Sequence, residues 1–155
     1  MRLTRRFIVS SLDNISLSNP IRYERYYIND KLRIQKKDNY YEKETLDEQN
    51  VLLEKIVITE DEFLKLQSTA YSKIVRDSYL YLKNHNISIK KYYGDYEGLN
   101  RVEVKFMSKE EMDLYRKETW MGEEITFSPL AFDKDLSKLN REEFLKELKK
   151  HLWKR

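Results

Sequence analysis

Strand-length segments in which apolar and charged side chains alternate occur along most of this 155-residue chain. Val102 and Val104, for example, alternate with Arg101, Glu103 and Lys105. Successive side chains of a β-strand point to opposite faces, so this alternation predicts a strand with one apolar and one charged face. Alternation and β-forming residues predict strands at residues 3–9, 21–28, 31–35, 40–45, 51–58, 74–82, 87–93, 101–106 and 123–127.

Three capping boxes, each a short polar residue followed three positions later by glutamate, predict helices. They begin at Thr59, Ser108 and Asn140, where the capping side chain can accept a hydrogen bond from the first turn. Because most of the predicted strands are neighbours in sequence, their sheet is expected to be mainly antiparallel. The pattern therefore predicts an α+β fold of about eight strands and two or three helices.

The composition fits a single globular domain over residues 1–155. Hydrophobic residues make up 40% and charged residues 37%, which is too apolar for a disordered chain. The 30 Lys and Arg exceed the 27 Asp and Glu by only three charges, so composition does not indicate a nucleic-acid partner. No cysteine is present, which excludes disulfides and cysteine-ligated zinc.

The apolar run near the N-terminus, Phe7-Ile8-Val9, is too short for a signal peptide or a membrane-spanning helix. We therefore expect a cytoplasmic protein with no membrane partner. The sequence does not indicate an oligomeric state.

The charged faces of the predicted strands carry many arginines and lysines. In an antiparallel sheet with one side in water these charges face solvent, which is the commoner arrangement. In a sheet closed into a barrel they converge in a polar lumen, where a low dielectric constant strengthens their attraction for a polyphosphate. The spacing of the residues fits both interpretations.

The late half of the chain contains three motifs in a specific order. Gly98-Leu-Asn-Arg-Val-Glu-Val-Lys-Phe106 is followed by Ser108-Lys-Glu-Glu111 and then by Trp120-Met-Gly-Glu-Glu-Ile-Thr126. With these motifs in this order, the chain resembles the CYTH superfamily. This superfamily comprises the triphosphate tunnel enzymes, which include class IV adenylyl cyclases, thiamine triphosphatases and inorganic triphosphatases. The resemblance implies a mainly antiparallel, eight-stranded closed tunnel with helices packed outside, which binds triphosphates with Mg²⁺ or Mn²⁺.

The first half of the chain is similar to the same family in four shorter stretches. The apolar run Phe7-Ile8-Val9 is followed by the aromatic strand YERYYI, by Leu32-Arg33-Ile34-Gln35 and by a strand that ends in Lys43. The resemblance therefore covers nearly the whole chain.

Several acidic positions of the family are basic in this sequence. Arg2, Thr4 and Arg6 lie in the slot of the family's Glu-x-Glu-x-Lys, so Arg6 matches the lysine and both carboxylates are gone. The late Glu-x-Glu has become Glu103 and Lys105. Lys90 matches an acidic residue before the glycine turn. Mg²⁺ is usually held by carboxylates and phosphate oxygens, so these replacements predict a degenerate metal site.

The resemblance implies a role for the matching residues. The expected phosphate-binding residues are Arg6, Arg33, Lys43, Arg76, Lys90 and Lys105. Arg2, Lys90 and Lys105 would replace part of the metal's charge. Glu103 and Glu124 would orient lysines or hold one residual Mg²⁺ or Mn²⁺. We expect a tunnel that binds a nucleotide or other polyphosphate and is catalytically weak or inactive, with no catalytic residue assigned.

Two alternatives remain open at this point. The first is an active Mg²⁺- or Mn²⁺-dependent triphosphatase, in which Glu103 and Glu124, together with Glu54, suffice for one metal ion. The second is a protein or RNA interaction module that has kept the fold and lost the ligand. The physiological ligand and the partner proteins are not indicated by the sequence.

Overall fold

The computed structural model describes residues 3–152. Within them lie the strands β1 (Thr4–Ile8), β2 (Ile21–Asn29), β3 (Leu32–Lys37), β4 (Tyr40–Leu46), β5 (Leu52–Val57), β6 (Ser72–Leu80), β7 (Ile87–Tyr93) and β8 (Asn100–Lys105). The helices are α1 (Glu60–Gln67), α2 (Lys109–Leu114), α3 (Asp133–Leu136) and α4 (Arg141–Leu152), and a 3-10 turn occupies Gly94–Tyr96. No helix of the described residues is long and apolar enough to span a membrane.

The eight strands form one antiparallel sheet in the order β1-β8-β7-β6-β2-β3-β4-β5. The predicted eight-stranded antiparallel sheet is thereby confirmed, and the predicted ends of these strands differ from the observed ones by at most two residues. The pairing of β1 with β5 that would close a barrel is not among the ladders of residues 3–152, so closure into a tunnel stays a prediction.

The sheet is nevertheless strongly curled. Arg6 on β1 and Arg33 on β3 are five strand spacings apart in the sheet order, which in a flat sheet would place them about 24 Å from each other. Both side chains line one cavity of about 200 Å³. The sheet must therefore bend around that cavity. We call the face that carries Arg6 and Arg33 the inner face, and the opposite one the outer face.

Two of the helices cover the outer face, as predicted. Phe63 of α1 packs against Tyr26, Ile34 and Ile58, with the rings of Phe63 and Tyr26 edge to face at 5.7 Å. At the other end of the sheet, α2 and the segment that follows it cover a second apolar cluster, which contains Phe7, Val9, Ile87, Ile89, Val102, Val104 and Met121.

The other two helices pack against the inner face, which corrects the prediction that all helices lie outside. Leu136 of α3 and Phe144 and Leu148 of α4 form a core with Leu99, which precedes β8, and with inner-face side chains of the sheet, which are Ile8, Tyr27, Ile74 and Tyr92. One end of the inner face is therefore apolar and covered by helices, and the rest remains polar.

The three predicted helix caps are confirmed by their hydrogen bonds. The Thr59 hydroxyl accepts from the Glu62 amide at 3.1 Å, and the Ser108 hydroxyl accepts from the Glu111 amide at 3.1 Å. Asn140 accepts from the Glu143 amide at 2.8 Å and donates its own amide to that carboxylate at 2.9 Å. The one-turn helix α3 was not predicted, because its N-cap Phe132 makes no side-chain capping bond.

The segment 122–126 runs along the free edge of β1. The Gly122 amide donates to the Ile8 carbonyl at 2.6 Å, and the Ile125 amide donates to the Arg6 carbonyl at 2.8 Å. Only an isolated bridge between Phe7 and Glu124 is formed, so the strand predicted at residues 123–127 is present as an edge contact instead of a full strand. This contact fixes the strand that carries Arg6.

We expect Gly122→Ala to loosen this edge contact. A Cβ atom at Gly122 would lie 2.7 Å from the Ile8 carbonyl oxygen, so the backbone must shift, and overpacking of this kind costs about 1–3 kcal/mol. Urea unfolding should show that loss, whereas Thr119→Ala, at an exposed neighbouring position, should change the free energy of unfolding by less than about 0.5 kcal/mol. Equal stabilities of the two variants would contradict the contact.

Candidate anion-binding site

The inner face brings cationic side chains from six strands together. They are Arg6 of β1, Arg25 of β2, Arg33 of β3, Arg76 of β6, Lys90 of β7 and Arg101 of β8, and all of them line the cavity of about 200 Å³. The register explains the convergence, because residues directly opposite each other on paired strands point to the same face. Lys90 lies opposite Arg101, and Arg6 lies opposite Glu103. We call this space the basic cavity.

Asp133 of α3 lies at the centre of this group. Its Oδ2 atom accepts hydrogen bonds from Arg25 Nη1 at 2.9 Å and Arg76 Nε at 3.0 Å. Its Oδ1 atom accepts from Arg101 Nη2 at 3.0 Å and from the Tyr92 hydroxyl at 2.5 Å. Burial alone would raise the pKa of Asp133, but Arg76, Arg101 and Arg25 outweigh it and lower that pKa well below its ordinary value.

Glu103 of β8 is the second buried carboxylate of the site. It accepts from Arg101 Nη2 at 3.1 Å and from Arg6 Nη2 at 3.4 Å, and Lys90 Nζ lies 3.5 Å away. Burial would raise the pKa of Glu103, but Lys90, Arg101 and Arg6 outweigh it, so the carboxylate stays ionised far below its ordinary pKa.

Glu44 of β4 is the third carboxylate. It accepts from Arg33 Nε at 2.8 Å, and Arg25 Nη2 and Lys55 Nζ each lie 3.8 Å from its oxygens. Burial raises its pKa, and the opposing effect of Arg33 and Arg25 is larger, so its pKa is lowered.

The cations of the basic cavity thus outnumber the carboxylates that pair with them. Seven cationic side chains line it, six from the strands and Lys134 from α3. Three carboxylates pair with the six from the strands, namely Glu44, Glu103 and Asp133. Among these nine side chains the difference is three positive charges, and the side chains are largely removed from water. Such a site favours an anion, because a low dielectric constant strengthens the attraction.

Two wider spaces adjoin the basic cavity on the polar side of the inner face. One, of about 570 Å³, is lined by Tyr23, Lys55 and Lys105 among others, and it shares Arg25, Arg76 and Lys90 with the basic cavity. The other, of about 410 Å³, includes Lys105 and shares Arg6, Lys90 and Glu103. We call these two wider spaces the mouth of the site. Lys90 lines all three spaces, so it lies between the basic cavity and the mouth.

Lys90 has an unusual environment for a lysine. Its Nζ atom donates to the Ser88 hydroxyl at 2.6 Å. Burial lowers its pKa, Glu103 raises it, and Arg76 and Arg101 lower it further, so that the Lys90 pKa falls from 10.5 to about 8. A bound anion would counter the repulsion from these arginines and favour the protonated form.

Most of the residues singled out by the sequence come together here. Arg6, Arg33, Arg76, Lys90 and Glu103 belong to the basic cavity or its ion pairs, and Lys105 lies at the mouth. Arg2 lies outside the described residues.

Lys43 does not join this group. It lies opposite Ile34 and Ile56 in the sheet, with its Nζ atom 3.3 Å from Glu62 of α1 on the outer face. The inner-face positions of β4 belong to Glu42 and Glu44, one residue to either side. A shift of one residue moves a side chain to the other face of a strand, and this explains the misplacement of Lys43.

Glu124 and Glu54 also lie away from Glu103. Glu124 sits opposite Phe7, where its oxygens accept from Arg5 Nη2 at 2.7 Å and Arg5 Nε at 3.0 Å. Glu54 lies opposite Thr45 on the exposed strand β5.

The donor set of the basic cavity does not fit Mg²⁺ or Mn²⁺. Such ions need several oxygen ligands, usually including carboxylates, and within residues 3–152 no three His, Asp or Glu side chains are grouped to hold one. The oxygens of Glu103 already face Arg6, Lys90 and Arg101.

Four residues of the site were given no role from the sequence: Arg25, Glu44, Arg101 and Asp133. For the first three a signal exists in the alternation of their strands, since Arg25 shares one face of β2 with Tyr23 and Tyr27, and Glu44 and Arg101 likewise follow the alternation of β4 and β8. Asp133 carries no such signal, because it lies outside the strands, at the start of the one-turn helix α3.

Comparison with known proteins gives a likeness in fold. No family model and no curated protein matches the sequence. A solved structure of the hypothetical protein NE1496 has a TM-score of 0.74 and 20% identity, and the match covers 90% of this chain and 99% of that one. A second, of the inorganic triphosphatase NE1496, has a TM-score of 0.72 and 21% identity, covering 88% and 94%. At this identity the two likenesses show that this chain shares the fold of NE1496.

The lowered pKa of Lys90 predicts a pH-dependent stability. Between about pH 8 and 10.5 Lys90 is neutral in the folded protein and protonated in the unfolded one. Unfolding then takes up a proton, so rising pH favours the folded state. The free energy of unfolding of the parent protein should therefore increase relative to that of Lys90→Met over this range, by about 3 kcal/mol at most.

The measurement is urea unfolding at several pH values from 7 to 10.5. Lys91→Met is the matched control. Lys91 is the neighbour of Lys90 in the sequence but lies on the outer face, so this variant should keep the increase in the free energy of unfolding with pH. A parent-minus-Lys90→Met difference that stays constant across this range would show that Lys90 titrates normally.

Proposed function

We propose that the basic cavity and its mouth bind a polyphosphate anion, such as tripolyphosphate or the triphosphate of a nucleotide, without a divalent cation. The observation that carries the proposal is the excess of six cationic side chains of the strands over three carboxylates around one buried space, which Lys134 of α3 also lines. The proposed ligands of the phosphate oxygens are Arg6, Arg33, Arg76, Lys90 and Lys105, joined by Arg25 and Arg101.

The chemistry of these side chains suits phosphate. A guanidinium presents its N–H groups in a planar fork that matches two phosphate oxygens, and it stays charged at any physiological pH. A lysine ammonium adds a compact charge that can follow the ligand. Lys90 and Lys105 lie on the path from the mouth to the cavity, so they would meet an incoming anion first.

The mouth leaves room for more than phosphate. The larger of its two spaces, of about 570 Å³, falls in the volume range of small-molecule sites. Ile21 and Tyr23 line it beside Lys105, and they would offer apolar contact to an organic group. A nucleoside triphosphate therefore fits the proposal as well as an inorganic one does.

We further propose that the chain is a CYTH protein with weak or no hydrolytic activity. The likeness in fold to the inorganic triphosphatase NE1496 supports a phosphate-binding ancestry. A bound metal ion would neutralise phosphate charge and orient the attacking water, and the side chains of this site do not fit such an ion. Fixed cations supply part of that charge and leave the water without an activating group.

An active metal-dependent triphosphatase is the second candidate, and the same likeness in fold favours it. In that case Glu103 would have to leave its cationic partners for a metal ion. Phosphate release that requires Mg²⁺ or Mn²⁺ and disappears in Glu103→Gln would establish this candidate in place of the first.

The deciding experiment is calorimetric titration with tripolyphosphate and with ATP at pH 7, in chelator and then with Mg²⁺, with phosphate release assayed in the same samples. We expect binding in chelator without turnover. Absence of binding under both conditions would overturn the proposal and favour an interaction module on the same fold.

Lys90→Met should weaken tripolyphosphate binding in chelator at least tenfold, because Lys90 borders every part of the site. Lys91→Met removes the same charge from the outer face of the same strand and should change the dissociation constant less than twofold. Parallel calorimetric titrations of the two variants give the comparison. Equal losses in both would mean that only overall charge matters.

A further inference from the structure

A carboxylate of the protein itself occupies the place that best suits a phosphoryl group. Arg25, Arg76 and Arg101 come from three different strands, and together with the Tyr92 hydroxyl they all donate to Asp133. We call these four donors the Asp133 cradle. Three convergent guanidiniums exceed what one carboxylate needs for neutrality, and such a set is typical of sites that recognise phosphate.

The contacts of Asp133 belong to a short segment that covers the basic cavity. In this segment, residues 128–139, the Leu130 carbonyl accepts from Arg101 Nη1 at 3.1 Å. The Phe132 ring lies 4.1 Å from the Arg6 guanidinium, and Lys134 Nζ donates to Asn50 at 2.6 Å. The segment therefore engages the same cations that a ligand would need.

We propose that the Asp133 cradle is a phosphoryl subsite that Asp133 keeps closed, and that the terminal phosphoryl group of a polyphosphate exchanges with the Asp133 carboxylate. The inference rests on the proposed function and adds to it a means of regulation. In the closed state Asp133 competes with the ligand, and in the open state the cradle holds the innermost phosphate.

The exchange is chemically matched. Each oxygen of Asp133 already accepts two hydrogen bonds. Oδ2 accepts from Arg25 and Arg76, and Oδ1 accepts from Arg101 and Tyr92. A terminal phosphoryl group has three acceptor oxygens and about 1.5 to 2 negative charges. It can therefore give each guanidinium an oxygen and neutralise more of the positive charge than Asp133 does.

The movement that the exchange requires is small. Leu130 and Leu136 are fully buried in the core on either side of Asp133, so the segment stays attached at both ends. Helix α3, which ends at Leu136, is a single turn whose N-cap has no side-chain capping bond. One isolated turn has little stability of its own. Opening involves this turn and the contact of Lys134 with Asn50.

Asp133→Asn tests the competition, because it keeps the shape of the side chain and removes its charge. Asp135→Asn is the matched control, since it removes the same charge from an exposed position of the same turn. Both variants and the parent are titrated calorimetrically with sodium tripolyphosphate in chelator at pH 7. We expect Asp133→Asn to bind at least tenfold more tightly than the parent, and Asp135→Asn to bind within twofold of it.

Hydrogen exchange of the parent protein gives a second readout that does not depend on the stability of the variant. The amides of Leu136 and Ser137 donate within α3, to Phe132 and Asp133. Both should exchange faster in saturating tripolyphosphate if α3 opens. This measurement decides the question if Asp133→Asn does not fold.

The outcomes separate this inference from the proposed function. Tighter binding by Asp133→Asn with faster exchange at α3 supports both. Two results would overturn the closed subsite alone. One is that the parent binds tripolyphosphate and Asp133→Asn binds it equally well or more weakly. The other is that the ligand leaves the α3 amides equally or better protected from exchange. Absence of tripolyphosphate binding by all three proteins overturns the proposed function and the inference with it.

Discussion

The mutual repulsion of buried cations is the constraint on which this structure depends. Six arginine and lysine side chains of the strands, together with Lys134 of α3, share one largely dehydrated space, and such an arrangement is stable only if carboxylates separate them. A chain of ion pairs does this, running from Glu44 through Arg25 to Asp133 and on through Arg101 to Glu103. It links β4, β2, α3 and β8 across the curl of the sheet, so the same contacts shape the site and support the fold.

In the proposed function, this site differs from a metal-dependent one in the sign of a few side chains. The fold is shared with NE1496, which is an inorganic triphosphatase. The resemblance implies carboxylates at positions where this chain has Lys90 and Lys105, and the remaining Glu103 faces Arg6, Lys90 and Arg101. In the proposed function, charge that a metal ion would bring with the ligand is built into the protein.

The sequence predicted the strands well because the alternation of apolar and charged residues directly reflects the two faces of a sheet. Arg6, Arg76 and Lys90 were singled out by the resemblance to the CYTH superfamily, and all three lie on the inner face. Lys43 was misplaced because a shift of one residue along a strand moves a side chain to the opposite face of the sheet. Asp133 could not be found, since its position follows from the packing of Leu130 and Leu136 into the core and not from any local pattern.

The separation of Asp133 from its partners along the chain has a consequence for biosynthesis. Arg25 precedes Asp133 by 108 residues and Arg76 precedes it by 57. During synthesis Arg25 and Arg76 therefore leave the ribosome well before Asp133, and contacts between such distant residues form slowly. Until Asp133 is made, Arg76 lacks the carboxylate with which it pairs in the folded chain.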